Sequence, residues 1–341
     1  MDMFNWIDHV IYGDKKPMPI LTYPAADLLF ITIKELVDSS NYQALGMRLI
    51  ADRYDMPAAV AYMDLSVEAE AFGATCVYSS DEVPTIIGKL IDSEEDARAL
   101  KMPKVGDGRT GVNVEAIRKA KILIHDRPVF AECIGPFSLA GRLMNVNDVM
   151  VSCYTDPETV HIVLEKATQF IIEYATALRD AGANGCIIAE PLAGLLSPDL
   201  MREFSSNYVQ RIVEAVQTKH FLFIYHNCGS SVNDLVAPMM ETGCFAFHFG
   251  ESANMPHMLE SFPRNYLIMG NISPSRKFNN ATPDDIRIAT RGLLNACAKY
   301  NNFLISSGCD VPPGTDLDNI DMFFQTVKDF YYRRLLWDII A

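Results

Sequence analysis

Along the chain, short apolar runs of strand length alternate with longer stretches whose apolar residues recur at helical spacing. The runs are "MPILTY" (18–23), "AVAYMD" (59–64), "PVFAECI" (128–134), "NGCIIAE" (184–190), "FLFIYH" (221–226), "FAFHFG" (245–250), "YLIMGN" (266–271) and "NFLISS" (302–307). Most are apolar at nearly every position, as expected of strands covered on both faces in a parallel sheet. Several helical stretches between them open on a capping residue followed by proline: Asp156-Pro157, Ser197-Pro198 and Thr282-Pro283. A side-chain cap followed by a fixed φ at the first helical turn is a helix start, and Gly182 marks a stop. Eight such strands alternating with helices predict an α/β fold, a closed (β/α)8 TIM barrel in a single domain over 1–341 with an N-terminal helical extension. The long polar segment 79–126 reads as an excursion after the second strand, a lid over one end of the barrel.

In such a barrel the chemistry sits at the carboxyl ends of the strands. Asp64, Glu190, His226, Cys228, Glu251, Asn271 and Cys309 stand at those ends. In "YHNCGSS", His226 and Cys228 are two positions apart, so in extended chain both side chains point to the same side. Gly229 is expected to let the backbone turn away at once. Imidazole nitrogen and thiolate sulfur are zinc ligands, and a catalytic zinc keeps three protein ligands with one position open. Cys309, in the turn after the last strand, is the candidate third ligand, and Glu251 stands after the sixth. The competing reading is packing, because cysteine is often buried as a small hydrophobe. Cys76, Cys133, Cys153, Cys186, Cys244 and Cys297 are read that way, and His248 as a packed strand residue.

Composition narrows the partners. The 341 residues are 49% hydrophobic and carry a formal charge of -14, which disfavours nucleic acid and anionic membrane surfaces. No apolar run reaches the length of a membrane span, and "MDMFNWIDHV" lacks a basic signal-peptide start, so a cytoplasmic location with reduced cysteines is expected. The glycine-rich "KVGDGRTG" lacks the lysine-hydroxyl ending of a phosphate loop, and Arg109 reads as a lid anchor.

The motifs "MDLSVEAEAFGA", "IGPFSLAG", "AEPLAGLLSPDLMREF", "YHNCGSS", "METGCFAFHFGE", "MGNISP" and "SSGCDVPPGTDLDNI" run in one order along most of the chain. In that order the chain resembles the uroporphyrinogen decarboxylase superfamily, and more specifically its zinc-dependent branch, the methylcobamide:coenzyme M methyltransferases. The resemblance implies that His226, Cys228 and Cys309 ligate Zn2+. By similarity to the His, Cys, Glu, Cys order of cobalamin-independent methionine synthase, Glu251 is the fourth candidate. It further implies transfer of a methyl group from a methylcobamide, carried on a corrinoid protein, to a small thiol held as thiolate. Glu190 and Asn271 would orient the acceptor and Asp64 the opposite wall, with Arg276 or Lys277 as candidates for an anionic tail. A homodimer is compatible with this reading.

The chain departs from the branch at Glu190, where aspartate is more typical, and at Ser273, where an acid is common. The decarboxylases grip porphyrin carboxylates with an arginine-rich segment, whereas "KKPMPILTYPAADLL" has lysines and no arginine. Three alternatives stay open. One is a metal-free tetrapyrrole decarboxylase, the second a zinc methyltransferase with a folate-type donor or another acceptor, and the third a non-enzymatic binding barrel.

Overall fold

The computed structural model describes residues 1–340. Seven parallel strands curl into one sheet in chain order: β1 (Ala59–Val60), β2 (Val129–Ile134), β3 (Gly185–Ala189), β4 (Leu222–Asn227), β5 (Ala246–Phe249), β6 (Leu267–Ile272) and β7 (Phe303–Ser307). Helices cover the outside, giving the (β/α) barrel architecture that the alternation predicts.

The first predicted strand is the exception. Residues 18–22 are extended but form no regular ladder, and they lie between β7 and β1. Met18 N–H donates to Ile305 C=O at 3.0 Å, Ile20 N–H to Ser307 Oγ at 3.0 Å, and Thr22 Oγ1 to Val60 C=O at 2.7 Å. Side-chain hydroxyls supply two of these three contacts, so the segment closes the barrel without pairing as a strand. Likewise only Ala59 and Val60 of "AVAYMD" pair with β2, because the chain leaves the sheet to carry Met63 and Asp64 toward the mouth.

Two hydrophobic clusters divide the core. The outer one lies between strands and helices; the inner one joins Val60, Phe130, Ile187, Ile224, Met269 and Leu304 from alternate strand positions. The helix Met3–Tyr12, capped by the Asp2 carboxylate, adds Met3, Trp6, Ile7, Val10 and Ile11 to that inner cluster. It therefore plugs the amino end of the barrel. Trp6 packs on Phe130 with ring centroids 5.2 Å apart and donates Nε1–H to Pro57 C=O at 3.0 Å.

The excursion after β1 comprises an antiparallel hairpin, Thr75–Val77 with Thr85–Ile87, and the helices Glu94–Ala99 and Thr110–Leu123. Arg109, just ahead of the last of these, is buried. It ion-pairs with Asp64, donates to Glu70 at 2.8 Å and Ser66 Oγ at 2.7 Å, and lies over the Tyr78 ring. A buried guanidinium needs partners for its donors, and this one ties the excursion to the end of β1.

Trp6→Ala is expected to lower stability by about 3–5 kcal/mol in urea denaturation, since it removes the plug's largest buried side chain. An unchanged midpoint would show that the helix does not seal the barrel.

Candidate metal and substrate site

Parallel pairing sets His226 on β4 opposite His248 on β5, and the interior alternation turns both rings inward. Cys228 follows directly on β4, and Cys309 follows β7. The His226 ring and the two thiols come together so that their ligand atoms all lie within 4.8 Å of one another. His226 is fully buried, while both cysteines are half-buried.

After Cys228 the chain turns because Asn227 Oδ1 accepts Gly229 N–H at 2.9 Å. Gly229 makes this turn without a left-handed backbone. It is needed for space, since a Cβ there would lie 2.4 Å from Gly194 Cα.

The donor set fits zinc. The buried Nε2 of His226 has no hydrogen-bond partner, an arrangement that costs free energy unless something occupies that lone pair or proton. One imidazole nitrogen and two sulfurs are borderline-soft ligands of the zinc type. The thiols act on each other: the Cys309 thiol donating to Cys228 pulls Cys228 below the ordinary thiol range. The same bond, with burial, holds Cys309 well above it.

Glu251 is not brought into this cluster. Its side chain is 41% exposed and pairs with Arg276 at 3.2 Å, so that arginine is committed at the surface. Asn271 donates Nδ2–H to Gly250 and Ala253 C=O at 2.9 and 2.7 Å, bracing the loop that carries Glu251. Asp64 is held by Arg109 and by Ser66, whose N–H donates at 2.9 Å.

Glu190 is fully buried and both its oxygens are taken. It accepts from Phe137 N–H (2.8 Å), Ser138 N–H (2.9 Å), Ser138 Oγ (2.7 Å) and Ser205 Oγ (3.3 Å). It therefore caps the helix Pro136–Met144, and Gly135 is required because any Cβ would strike its carboxylate. Ser205 reaches it from a π-helical turn, Arg202–Ser206, inside what the sequence reads as one continuous helix. Burial lifts the Glu190 pKa to about 7 despite these donors.

The last turn of the helix that Glu190 caps carries Arg142, which sequence reasoning missed. Arg142 lines a cavity of about 310 Å³ together with Cys309, Asp310, Met63, Tyr23 and the hairpin residue Ile86. Its guanidinium has no ion-pair or hydrogen-bond partner among the described residues; burial lowers its pKa, and the nearby Asp64 carboxylate only partly offsets this. Three further acids were also unforeseen. Asp310 keeps one carboxylate oxygen unpartnered, Glu132 both and Glu68 one. Burial raises Glu68 to about 8 and Asp310 to about 7, and Glu132 well above its ordinary range. Glu132 had a signal, being a lone acid inside the apolar run "PVFAECI". Asp310, beside Cys309, had none beyond adjacency.

The family model described as uroporphyrinogen decarboxylase (URO-D) matches residues 30–330. The chain belongs to the uroporphyrinogen decarboxylase family. It is 27% identical over 278 residues to the methylcobamide:CoM methyltransferase MtbA of Methanosarcina acetivorans, covering 79% of this chain and 78% of that one. It is also 24% identical over 291 residues to a uroporphyrinogen decarboxylase of Coxiella burnetii, covering 82% and 78%. A methyltransferase from Methanosarcina mazei shares the fold at a TM-score of 0.83, with 21% identity over 97% of this chain and 98% of that one. A B12-independent methionine synthase from Shewanella sp. W3-18-1 shares it at 0.62, with 14% identity over 95% and 99%. Family membership alone spans two chemistries, so the residues of the site must choose between them.

Glu68 offers a test of the buried acids. Its pKa rises from 4.5 to about 8 on folding, so the native state holds a proton that the unfolded chain releases. Its stabilising effect is complete below about pH 4.5 and is lost as pH climbs through 8. The thermal midpoint of the wild type is expected to fall between pH 6 and pH 8.5, and Glu68→Gln should flatten that slope. An equal slope in both proteins would contradict the assignment.

Proposed function

We propose that the protein is a zinc-dependent methyltransferase that moves a methyl group from a methylated corrinoid, presented by a corrinoid protein, to a small thiol. The observation that carries this reading is the unpartnered Nε2 of buried His226 beside two half-buried thiols, one of which, Cys309, lines the cavity that holds Arg142.

His226, Cys228 and Cys309 would hold the ion. Bound there, zinc would keep a substrate thiol in the thiolate form that attacks carbon at neutral pH. Two cysteinates and a neutral imidazole would give the donor set two negative charges that offset those of the ion, leaving a bound sulfur electron-rich and nucleophilic. With Glu251 turned toward Arg276, His226, Cys228 and Cys309 are the three residues that would hold the ion. In the overall transfer the acceptor sulfur gains the methyl group. The cobalt–carbon bond breaks with its electron pair left on cobalt, and one proton is released from the thiol.

Arg142 would grip an anionic end of the acceptor. Glu190 acts on that grip indirectly, by capping the helix that carries Arg142, and Asp64 through its electrostatic support of Arg142. Asn271 bounds the opposite loop. The hairpin, tied down through Arg109, would shield the cavity from water while the corrinoid docks above it.

The lysines of the segment that corresponds to the decarboxylases' arginine-rich one are already engaged. Lys15 is consumed by the carbonyls of Val10 and Asn301 (2.8 and 2.6 Å) and Lys16 by Asp55 (2.9 Å), around the amino ends of the strands. These contacts favour thiol methylation over decarboxylation.

Incubation with methylcobalamin and thiols tests the proposal. The wild type should convert a short anionic thiol such as 3-mercaptopropionate to its thioether, and Cys309→Ala and His226→Ala should lose the activity. Arg142→Gln should raise KM for the anionic thiol about 10-fold or more, as loss of a charge-assisted hydrogen bond does. It should leave 2-mercaptoethanol nearly unaffected. Equal effects on both thiols would remove Arg142 from the acceptor site, and no thioether with any thiol would overturn the methyltransferase reading.

A further inference from the structure

Behind His226 runs a line of polar contacts that the methyl-transfer reading does not use. His226 Nδ1 lies 2.7 Å from His248 Nδ1, His248 Nε2 lies 2.8 Å from Ser306 Oγ, and Ser306 Oγ lies 2.7 Å from Met18 C=O. All three side chains are fully buried. The line crosses the barrel interior from β4 through β5 to β7 and ends on the segment that closes the barrel.

Its polarity can be read from its fixed end. A carbonyl only accepts, so the single hydroxyl proton of Ser306 goes to Met18. The Ser306 oxygen must then accept from His248, which places the His248 proton on Nε2. A neutral imidazole has one N–H, so His248 Nδ1 is an acceptor. The 2.7 Å contact to His226 therefore requires a proton on His226 Nδ1. That leaves His226 Nε2 as the bare nitrogen, the same atom that is buried without a partner and grouped with the two thiols.

We propose that His248 is a positioning residue: together with Ser306 and the Met18 carbonyl it fixes the tautomer of His226, so that a lone pair faces the thiols before any metal arrives. The inference rests on the zinc reading for its purpose, though not for its geometry. An imidazole free to choose its tautomer would spend part of its population with a proton where the metal must bind. A second interior histidine in register with the first removes that choice, and the backbone carbonyl at the far end makes the direction irreversible. Partners of this kind behind a metal ligand are worth about 10–100-fold in metal affinity when removed.

Two measurements on the full-length protein test it. The first is nitrogen NMR of metal-free protein labelled with 15N-histidine, with His226 signals identified by their absence in His226→Gln. The expected result is a protonated Nδ1 and a bare Nε2 on His226. The second is zinc affinity by chelator competition. His248→Leu and the gentler Ser306→Ala should each weaken binding about 10–100-fold. His248→Gln, whose amide oxygen can accept the Nδ1 proton, should recover most of it. A proton found on His226 Nε2, or wild-type affinity in both His248→Leu and Ser306→Ala, would overturn the inference. If the wild type binds no zinc, the methyltransferase proposal falls, and the NMR result alone still decides the tautomer.

Discussion

The seam that closes the barrel is the contact on which the site depends. Met18 is hydrogen-bonded to β7 through its N–H and through its carbonyl, the latter by way of Ser306, while Thr22 ties the same segment to β1. Without that closure β7 would be an open edge, and nothing would hold Cys309 across the mouth from Cys228. Local sequence cannot bring those residues together, because they follow different strands; only the curl of the whole sheet does. The N-terminal helix supports the closure from below by filling the interior with Trp6 and its neighbours. The polar line from Met18 to His226 then makes the closing segment part of the ligand environment as well as part of the frame.

Seven of the eight apolar runs lie in strands of the parallel sheet, because a strand buried on both faces writes itself as an unbroken apolar run. The eighth, 18–23, is equally apolar yet pairs through hydroxyls, and nothing in an apolar pattern distinguishes a ladder from an extended strap. The convergence of His226, Cys228 and Cys309 follows from the rule that strand ends share one face of a barrel. Orientation within that face was not legible. Glu190 and Asn271 stand at strand ends, but they spend their polar atoms on a helix cap and a loop. Glu251 turns outward to Arg276. Arg142 sits on a helix rather than at a strand end, so a search of strand ends passes over it. His248 alternates with apolar residues and reads as core, which it is; its hydrogen bonds belong to tertiary register.

The site joins two opposed electrostatic demands. Donors that would hold a cation and keep a bound thiolate reactive must stay electron-rich, yet the buried acids Asp310 and Glu132 near Cys309 resist further negative charge. Raised pKa values at Glu68, Glu132 and Asp310 relieve that conflict, since protonated carboxyls add no charge. The cation of Arg142 adds the one attractive feature for an anion on the cavity wall. The cavity thus sets the Cys309 thiol and the Arg142 guanidinium on one wall.

The central claim is a zinc centre with three protein donors and one position open to a thiol. X-ray absorption at the zinc edge of the purified protein, with and without a saturating thiol, measures this directly. The account predicts a shell containing one imidazole nitrogen and two sulfurs, with a third sulfur appearing when thiol is added. Absence of zinc after metal-replete purification, or a shell that thiol leaves unchanged, would contradict it.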